Sequence, residues 1–253
     1  MNPKVDFSLA LKYAKLVQVA GTVGPGESYG QAQFDAINSL GYSFFESLYA
    51  NDRAGDPVPI GYVAVSPTFE LVAPIRGTDD IWEWIKDAEA ILVPSHVTKG
   101  LTHLGFIQMY ESLRVKDAVP QATTVSAKDF IKSLVNTDQA REVIVCGHSL
   151  GGALATLLVA DVDVALNHTS VCPEVYTFAS PRVGDHDFSV WYNSSMEEFT
   201  WRFEHHWDIV PMLPTTPPFE HGGQKEKLVG DMSFDIAKNH ELSTYITLLE
   251  GKI

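Results

Sequence analysis

The chain runs Val143-Ile144-Val145-Cys146, turns through Gly147-His148-Ser149-Leu150-Gly151-Gly152, and continues as an apolar helical pattern from Leu150 to about Leu166. A short apolar strand, a turn with Ser149 between two glycines, and an apolar helix admit few folds. Each element has to be covered by others, and a second strand pattern, Val175–Ala179, follows the helix. That alternation marks parallel βαβ units and an α/β fold. The turn has the G-x-S-x-G pattern of a nucleophile elbow, in the strand-to-helix setting that the chemistry requires. Ser149 must take a strained backbone conformation that lifts its hydroxyl out at the carboxyl end of the sheet. Gly147 and Gly151 remove side chains that would collide with the neighbouring strand and helix. The helix beginning at Leu150 aims its first N–H groups at the reacting centre, where a negative oxygen develops during acyl transfer.

A serine hydroxyl needs a base at neutral pH, and the base needs an acid to orient it. In this architecture the three follow in the order Ser, Asp/Glu, His. Asp208 sits just past the strand pattern Phe199–Glu204, in Trp207-Asp208-Ile209-Val210-Pro211, where a loop at the carboxyl end of the sheet presents it. With Asp208 as acid, His221 and His240 are left as candidate bases. His221-Gly222-Gly223 has the composition of a turn, whereas His240 lies in a short polar loop before a terminal helix, so the residues favour His240. His168 and His186 are read as structural.

The remaining patterns fill in one unit. Leu9, Tyr13, Leu16, Val17 and Ala20 predict an amphipathic helix ended at Gly21. Gly24-Pro25-Gly26 and the run from Asn51 to Pro57 are turn chemistry, with a mixed helical stretch from Gln31 to Leu48 between them. Gly61–Ser66 and Phe69–Ile75 read as strands of a hairpin closed at Ser66-Pro67-Thr68. Pro74 lacks a ladder donor and predicts a bulge or strand end. Helices are expected over Ile81–Ala88, Phe106–Val115, Ala127–Leu134 and His240 to about Leu249. No repeat or shift of composition interrupts the chain, so residues 1–253 read as a single domain.

Composition excludes several classes of function. A chain of 253 residues that is 45% apolar and 11% aromatic can bury roughly three quarters of its unfolded surface, which argues against disorder. With 18 Lys and Arg against 32 Asp and Glu, the formal charge is −14. Nucleic acid is not expected as a partner, because binding its backbone requires a dense basic face. The richest apolar run, Ala153–Leu166, is broken by Asp161 and Asp163 well short of the ~18 residues of a membrane span, so no integral membrane segment is expected. Lys12 and Lys15 fall where a signal peptide would be apolar. The chain is therefore expected to be soluble and without a signal peptide, either cytoplasmic or secreted after signal removal. Cys146 and Cys172 both sit beside apolar runs and are read as buried thiols rather than a disulfide.

From about Phe69 to its C-terminus the chain resembles the class 3 lipase family, the triacylglycerol lipases that include secreted enzymes of filamentous fungi. The resemblance is carried by Arg76-Gly77-Thr78 after a strand, Trp84 and Asp87 in the next helix, His103-Leu104-Gly105-Phe106 and the Ser149 elbow. It continues through Ser180-Pro181-Arg182-Val183-Gly184, Asp208-Ile209-Val210-Pro211 with Leu213-Pro214, and Asn239-His240 followed by Leu242. It implies an α/β-hydrolase fold, a central mostly parallel sheet flanked by helices, with a short helical lid. It implies Ser149 as nucleophile, Asp208 as acid and His240 as base, with an oxyanion hole from Thr78 and the backbone N–H of Leu150. The helix after Thr78 then corresponds to the lid, with Ile81, Trp84, Ile85 and Ala88 on one apolar face. Trp82, off that stripe, suits contact with lipid, and Asp80 with Glu83 forms a capping box.

The chain departs from the family at Ile75, where Phe is usual, and at His205, His206 and Trp207, where small or polar residues are usual. Adjacent strand residues point to opposite faces, so His205 and His206 do not readily share a metal, and neither metal nor cofactor is expected. The expected activity is hydrolysis of a lipid or other carboxylic ester, foremost of triacylglycerol, at an oil–water interface. A soluble short-chain or feruloyl-type esterase has the same catalytic residues. An acyl transferase or phospholipase could be built on the same scaffold. A silent hydrolase-fold binding module is the alternative from another class, and the complete set Ser149, Asp208 and His240 opposes it.

Overall fold

The computed structural model describes residues 5–78, 91–115, 124–215 and 218–253. In chain order the helices are α1 (Phe7–Ala20), α2 (Gln31–Ser39), α3 (Leu104–Glu111), α4 (Ala127–Asn136), α5 (Leu150–Leu166), α6 (His186–Met196), α7 (Ile236–His240) and α8 (Leu242–Glu250). The strands are β1 (Ser43–Asn51), β2 (Pro57–Val65), β3 (Glu70–Ile75), β4 (Leu92–Pro94), β5 (Leu101–His103), β6 (Arg114–Val115), β7 (Val125–Ser126), β8 (Glu142–His148), β9 (Glu174–Phe178), β10 (Thr200–His205) and β11 (Gln224–Leu228).

Nine strands form one sheet in the order β11-β10-β9-β8-β3-β2-β1-β6-β7, and β4 pairs with β5 apart from it. From β3 to β11 every neighbouring pair is parallel, while β2, β1, β6 and β7 extend the sheet as antiparallel strands. Helices cover both faces. On one, α5 packs with α3, α4 and α6 around Val143, Val145, Leu154 and Leu158. On the other, α1 packs with α8 around Tyr13, Tyr62, Phe178 and Phe203. The sequence explains α5: its apolar residues run all round, and nearly all of them are buried between the sheet and neighbouring helices. Each such leucine contributes roughly 1.5–3 kcal/mol by leaving water.

Several sequence expectations need correction. The stretch from Gln31 to Leu48 is not one helix. It divides at Gly41, which takes φ 90°, into α2 and the first part of β1, whose run Ser43-Phe44-Phe45 suits a pleated surface better than a helix. Phe106–Val115 likewise divides, because α3 ends at Glu111 and Arg114–Val115 pair as β6 with β1 and β7. Pro74 neither ends β3 nor bulges it. Pairing with β8 runs unbroken from Glu70–Glu142 to Ile75–Gly147. On the β2 side, registered pairs pass from Gly61–Ile75 to Ala64–Val72 without a change of register. The missing N–H of Pro74 is therefore absorbed as a local lapse in one ladder. Cys146 is buried and Cys172 is exposed, both free. No described helix is long and apolar enough to cross a membrane.

Candidate active site

The carboxyl ends of β8, β9, β10 and β11 share one edge of the sheet, where open α/β sheets bind ligands. Ser149 follows β8 with φ 57° and ψ −128°, a strained conformation held by a bond from its N–H to the carbonyl of Phe178 at the end of β9, 2.9 Å. The glycines of the elbow are steric requirements. A side-chain carbon at Gly147 would lie 2.1 Å from the Gly151 carbonyl oxygen, and one at Gly151 would lie 2.3 Å from that of Ile75.

Three residues after the end of β10, Asp208 is held from both sides. Its backbone N–H donates to the His205 carbonyl, 3.0 Å, and its Oδ1 accepts from the Val210 N–H, 3.0 Å. The loop beyond is pinned by the backbone N–H of Arg182 on the Leu213 carbonyl, 2.7 Å, and by Arg182 Nη1 on that of Pro214, 3.1 Å. His221 Nε2–H donates to the Pro211 carbonyl, 2.6 Å. His221 is thus spent on the loop that carries Asp208 and does not face Ser149.

His240 is the last residue of α7 rather than part of a loop. The side chain of Asp235 caps α7 at the Ala237 N–H, and the Asn239 amide bonds in both directions to the Ser233 backbone, 2.9 Å each. From there His240 Nδ1–H donates to Asp208 Oδ2, 2.8 Å, and the Ser149 hydroxyl donates to His240 Nε2, 2.8 Å. All three side chains are buried. The arrangement can draw a proton from the serine as it attacks and hold the resulting imidazolium against a carboxylate.

Two supports were invisible in the sequence. The Tyr245 hydroxyl donates to Asp208 Oδ2, 2.7 Å, and accepts from the His205 N–H, 3.1 Å. In the sequence Tyr245 belongs to the apolar stripe of the terminal helix and reads as core. His148 packs its ring against that of His240, 4.8 Å between centroids, and its Nε2–H donates to the His240 carbonyl, 2.8 Å. Burial first, and then the neighbouring His240, hold the His148 pKa down at about 3, so it adds no charge beside the base at neutral pH.

Thr78 and Leu150 share the wall of a cavity of about 300 Å³. Leu150 opens α5, so no intrahelical carbonyl is available to its N–H. Gly77, just before Thr78, abuts the Ser149 side chain, its missing Cβ position lying 3.0 Å from the Ser149 Cβ. Ile81, Trp82, Trp84 and Ile85, with the capping pair Asp80 and Glu83, lie outside the described residues. Among the described residues no group of three or more His, Cys, Asp or Glu is placed to hold a metal.

Three imidazoles held largely out of water make the fold acid-sensitive. Burial lowers His103 to about 4. It lowers His221 to about 3, helped by the nearby guanidinium of Arg202. With His148, each binds its proton less readily folded than unfolded. The stability they lend is complete above the ordinary value of 6.5 and is lost as pH falls toward 4 and then 3, by up to ~1.4 kcal/mol per pH unit for each. Glu174 and Glu226 are raised by burial and act in the opposite direction, in the carboxylate range. The urea midpoint is expected to drop clearly from pH 7 to pH 5. An unchanged midpoint would show that these imidazoles are not kept neutral by the fold.

A family model described as lipase (class 3) matches residues 72–217. Phospholipase A1-II 6 of Oryza sativa subsp. japonica is 32% identical over 194 residues, covering 64% of this chain and 46% of that protein. The secreted mono- and diacylglycerol lipase A of Penicillium cyclopium is 31% identical over 156 residues, covering 61% and 46%. The chain thus spans less than half the length of these curated relatives. Among solved structures, the LIP2 lipase of Yarrowia lipolytica superposes with a TM-score of 0.67 at 23% identity, over 88% of this chain and 81% of that one. A lipase of Rhizopus microsporus var. chinensis gives 0.68 at 21%, over 92% and 80%. These likenesses show the α/β-hydrolase fold. Because the family model spans more than half of the chain and takes in the elbow and Asp208, the chain belongs to the class 3 lipase family.

Proposed function

We propose that this protein is a serine carboxylic-ester hydrolase acting on acylglycerols, triacylglycerol among them, and that the described residues form one hydrolase domain. The observation that carries the reading is the continuous chain of hydrogen bonds from Ser149 through His240 to Asp208, each 2.8 Å. Ser149 Oγ attacks the ester carbonyl while His240 Nε2 takes its proton, and Asp208 holds His240 in the tautomer that can do so. The N–H groups of Thr78 and Leu150 receive the oxyanion. Collapse breaks the ester C–O bond, the alcohol leaves with the proton from His240, and the acyl group stays on Ser149. Water deprotonated by His240 then releases the acid and restores the serine. No cofactor enters this sequence.

The glycerolipid substrate class is supported by the relatives, which are named phospholipase A1 in rice and mono- and diacylglycerol lipase in Penicillium. A phospholipase reading draws on the first of those names, and a soluble-ester esterase would use the same residues. The deciding measurement is the initial rate on tributyrin as its concentration crosses the solubility limit, with Ser149→Ala as blank. A jump in rate with the emulsion, absent from the blank, is the expected result and indicates work at an interface. Saturation below the limit would indicate a soluble-ester esterase. Turnover of phosphatidylcholine without turnover of tributyrin would replace the acylglycerol reading with the phospholipase one.

A further inference from the structure

His240 ends a segment that touches the rest of the fold mainly at its last two residues. Residues 231–238 are exposed apart from half-buried Ser233, and burial resumes at Asn239 and His240. The Asp235 cap and the bonds between the Asn239 amide and the Ser233 backbone lie within the segment, so they shape α7 without fixing it to the sheet. An imidazole that has to meet Ser149 and Asp208 at once needs its backbone fixed to both of them.

Two consecutive carbonyls of the segment are each taken by a histidine ring, and the rings come from different strands. His148, the last residue of β8, donates its Nε2–H to the His240 carbonyl, 2.8 Å. His205, the last residue of β10, donates its Nδ1–H to the Asn239 carbonyl, 3.2 Å. Because β8 leads into the nucleophile and β10 toward the acid, the backbone of the base is tied to the strands of both its partners.

His205 also holds the acid. Its carbonyl accepts from the Asp208 N–H, 3.0 Å. Its N–H donates to the Tyr245 hydroxyl, 3.1 Å, which in turn donates to Asp208 Oδ2, 2.7 Å. The residue is only 1% exposed, and its Nε2 meets no hydrogen-bond partner among the described residues. A buried nitrogen left in that way is unfavourable, and an apolar ring would fill the same space without it. Packing alone therefore does not call for histidine here, whereas the Nδ1–H bond to Asn239 does. We propose that His205 is a positioning residue that registers His240 to Asp208 through the Asn239 carbonyl. The role rests on the reading of Ser149, His240 and Asp208 as the catalytic residues and adds a residue to it.

The test compares His205→Asn with His205→Leu on a soluble butyrate ester, with urea denaturation to check that each variant is folded. The two replacements have nearly the same shape and both lose the ring, but only asparagine keeps an N–H donor near the Nδ1 position. His205→Leu is expected to lower kcat about 10²-fold, the loss that a misplacement of about 1 Å brings, and His205→Asn to recover at least about tenfold of it. His205 lines neither the cavity walled by His240 nor the one walled by Leu150, so KM should stay within about twofold of the parent in both variants. Equal kcat in the two variants, a parental kcat in His205→Leu, or a loss that falls mainly on KM would each overturn the role while leaving Ser149-dependent hydrolysis standing. If His205→Leu does not fold, His205→Gln replaces it, because its amide sits one bond further out, at the Nε2 position and away from Asn239. A kcat below that of His205→Asn is then expected, and an equal one would overturn the role. A parent protein whose turnover does not depend on Ser149 would overturn the catalytic reading and the role of His205 together.

Discussion

Ser149→Ala is expected to lower kcat on tributyrin and on soluble butyrate esters by roughly 10⁴–10⁶-fold, the range seen when a serine nucleophile is removed from a working triad. The physical reason is specific to the site. The Ser149 hydroxyl is the oxygen that bonds to His240 Nε2, 2.8 Å, so its removal takes the attacking atom away from the base. Alanine keeps the Cβ and hence the same cost of the φ 57° turn. The Phe178 carbonyl still receives the backbone N–H. Stability should therefore move by about 1 kcal/mol or less, the net worth of one hydrogen bond. A denaturation curve that overlays that of the parent protein, together with lost turnover, separates chemistry from folding. Turnover that survives in purified, folded Ser149→Ala would place the nucleophile elsewhere.

What the sequence made legible follows where local pattern and tertiary environment agree. The strand, elbow and helix from Glu142 to Leu166 were readable because both elements are buried on all sides, and the glycines at 147 and 151 have one steric purpose each. The loop position of Asp208 could be inferred from the end of a parallel strand. Local chemistry favoured His240 over His221 on a loop setting, whereas in the structure His240 ends α7 and what bears on the choice is which ring faces Ser149. That is decided by the return of α7 to the sheet edge and by the bond from His221 to Pro211. Phe44, Phe45 and Leu48 were misassigned to a helix because a short apolar run fits either period, and pairing with β2 settles it. Two-residue strands such as β6 and β7 are too short to leave a pattern. Tyr245 was illegible for a different reason: a buried tyrosine on an amphipathic helix looks like core, and its hydroxyl contact to Asp208 spans 37 positions of sequence.

Asp208→Asn tests the orienting carboxylate and is expected to cost ~10⁴-fold in kcat, the magnitude of an imidazole held in the wrong tautomer. Asp208 Oδ1 accepts from the Val210 N–H, while Oδ2 accepts from both His240 Nδ1–H and the Tyr245 hydroxyl. Asparagine keeps one acceptor, and the Val210 N–H is a fixed backbone donor that claims it. The amide nitrogen then occupies the Oδ2 position and donates toward His240. The Tyr245 hydroxyl can rotate its proton away, but the imidazole can meet a donor only by moving its own proton from Nδ1 to Nε2. With Nε2 protonated it cannot accept from Ser149. Asp208 lines neither the cavity walled by His240 nor the one walled by Leu150, so KM for a soluble ester should change little, and the split between kcat and KM distinguishes misorientation from a collapsed site. Activity within about tenfold of the parent would mean that asparagine turns its carbonyl to His240 at the expense of Val210, since tautomer control is the only effect large enough to supply the difference.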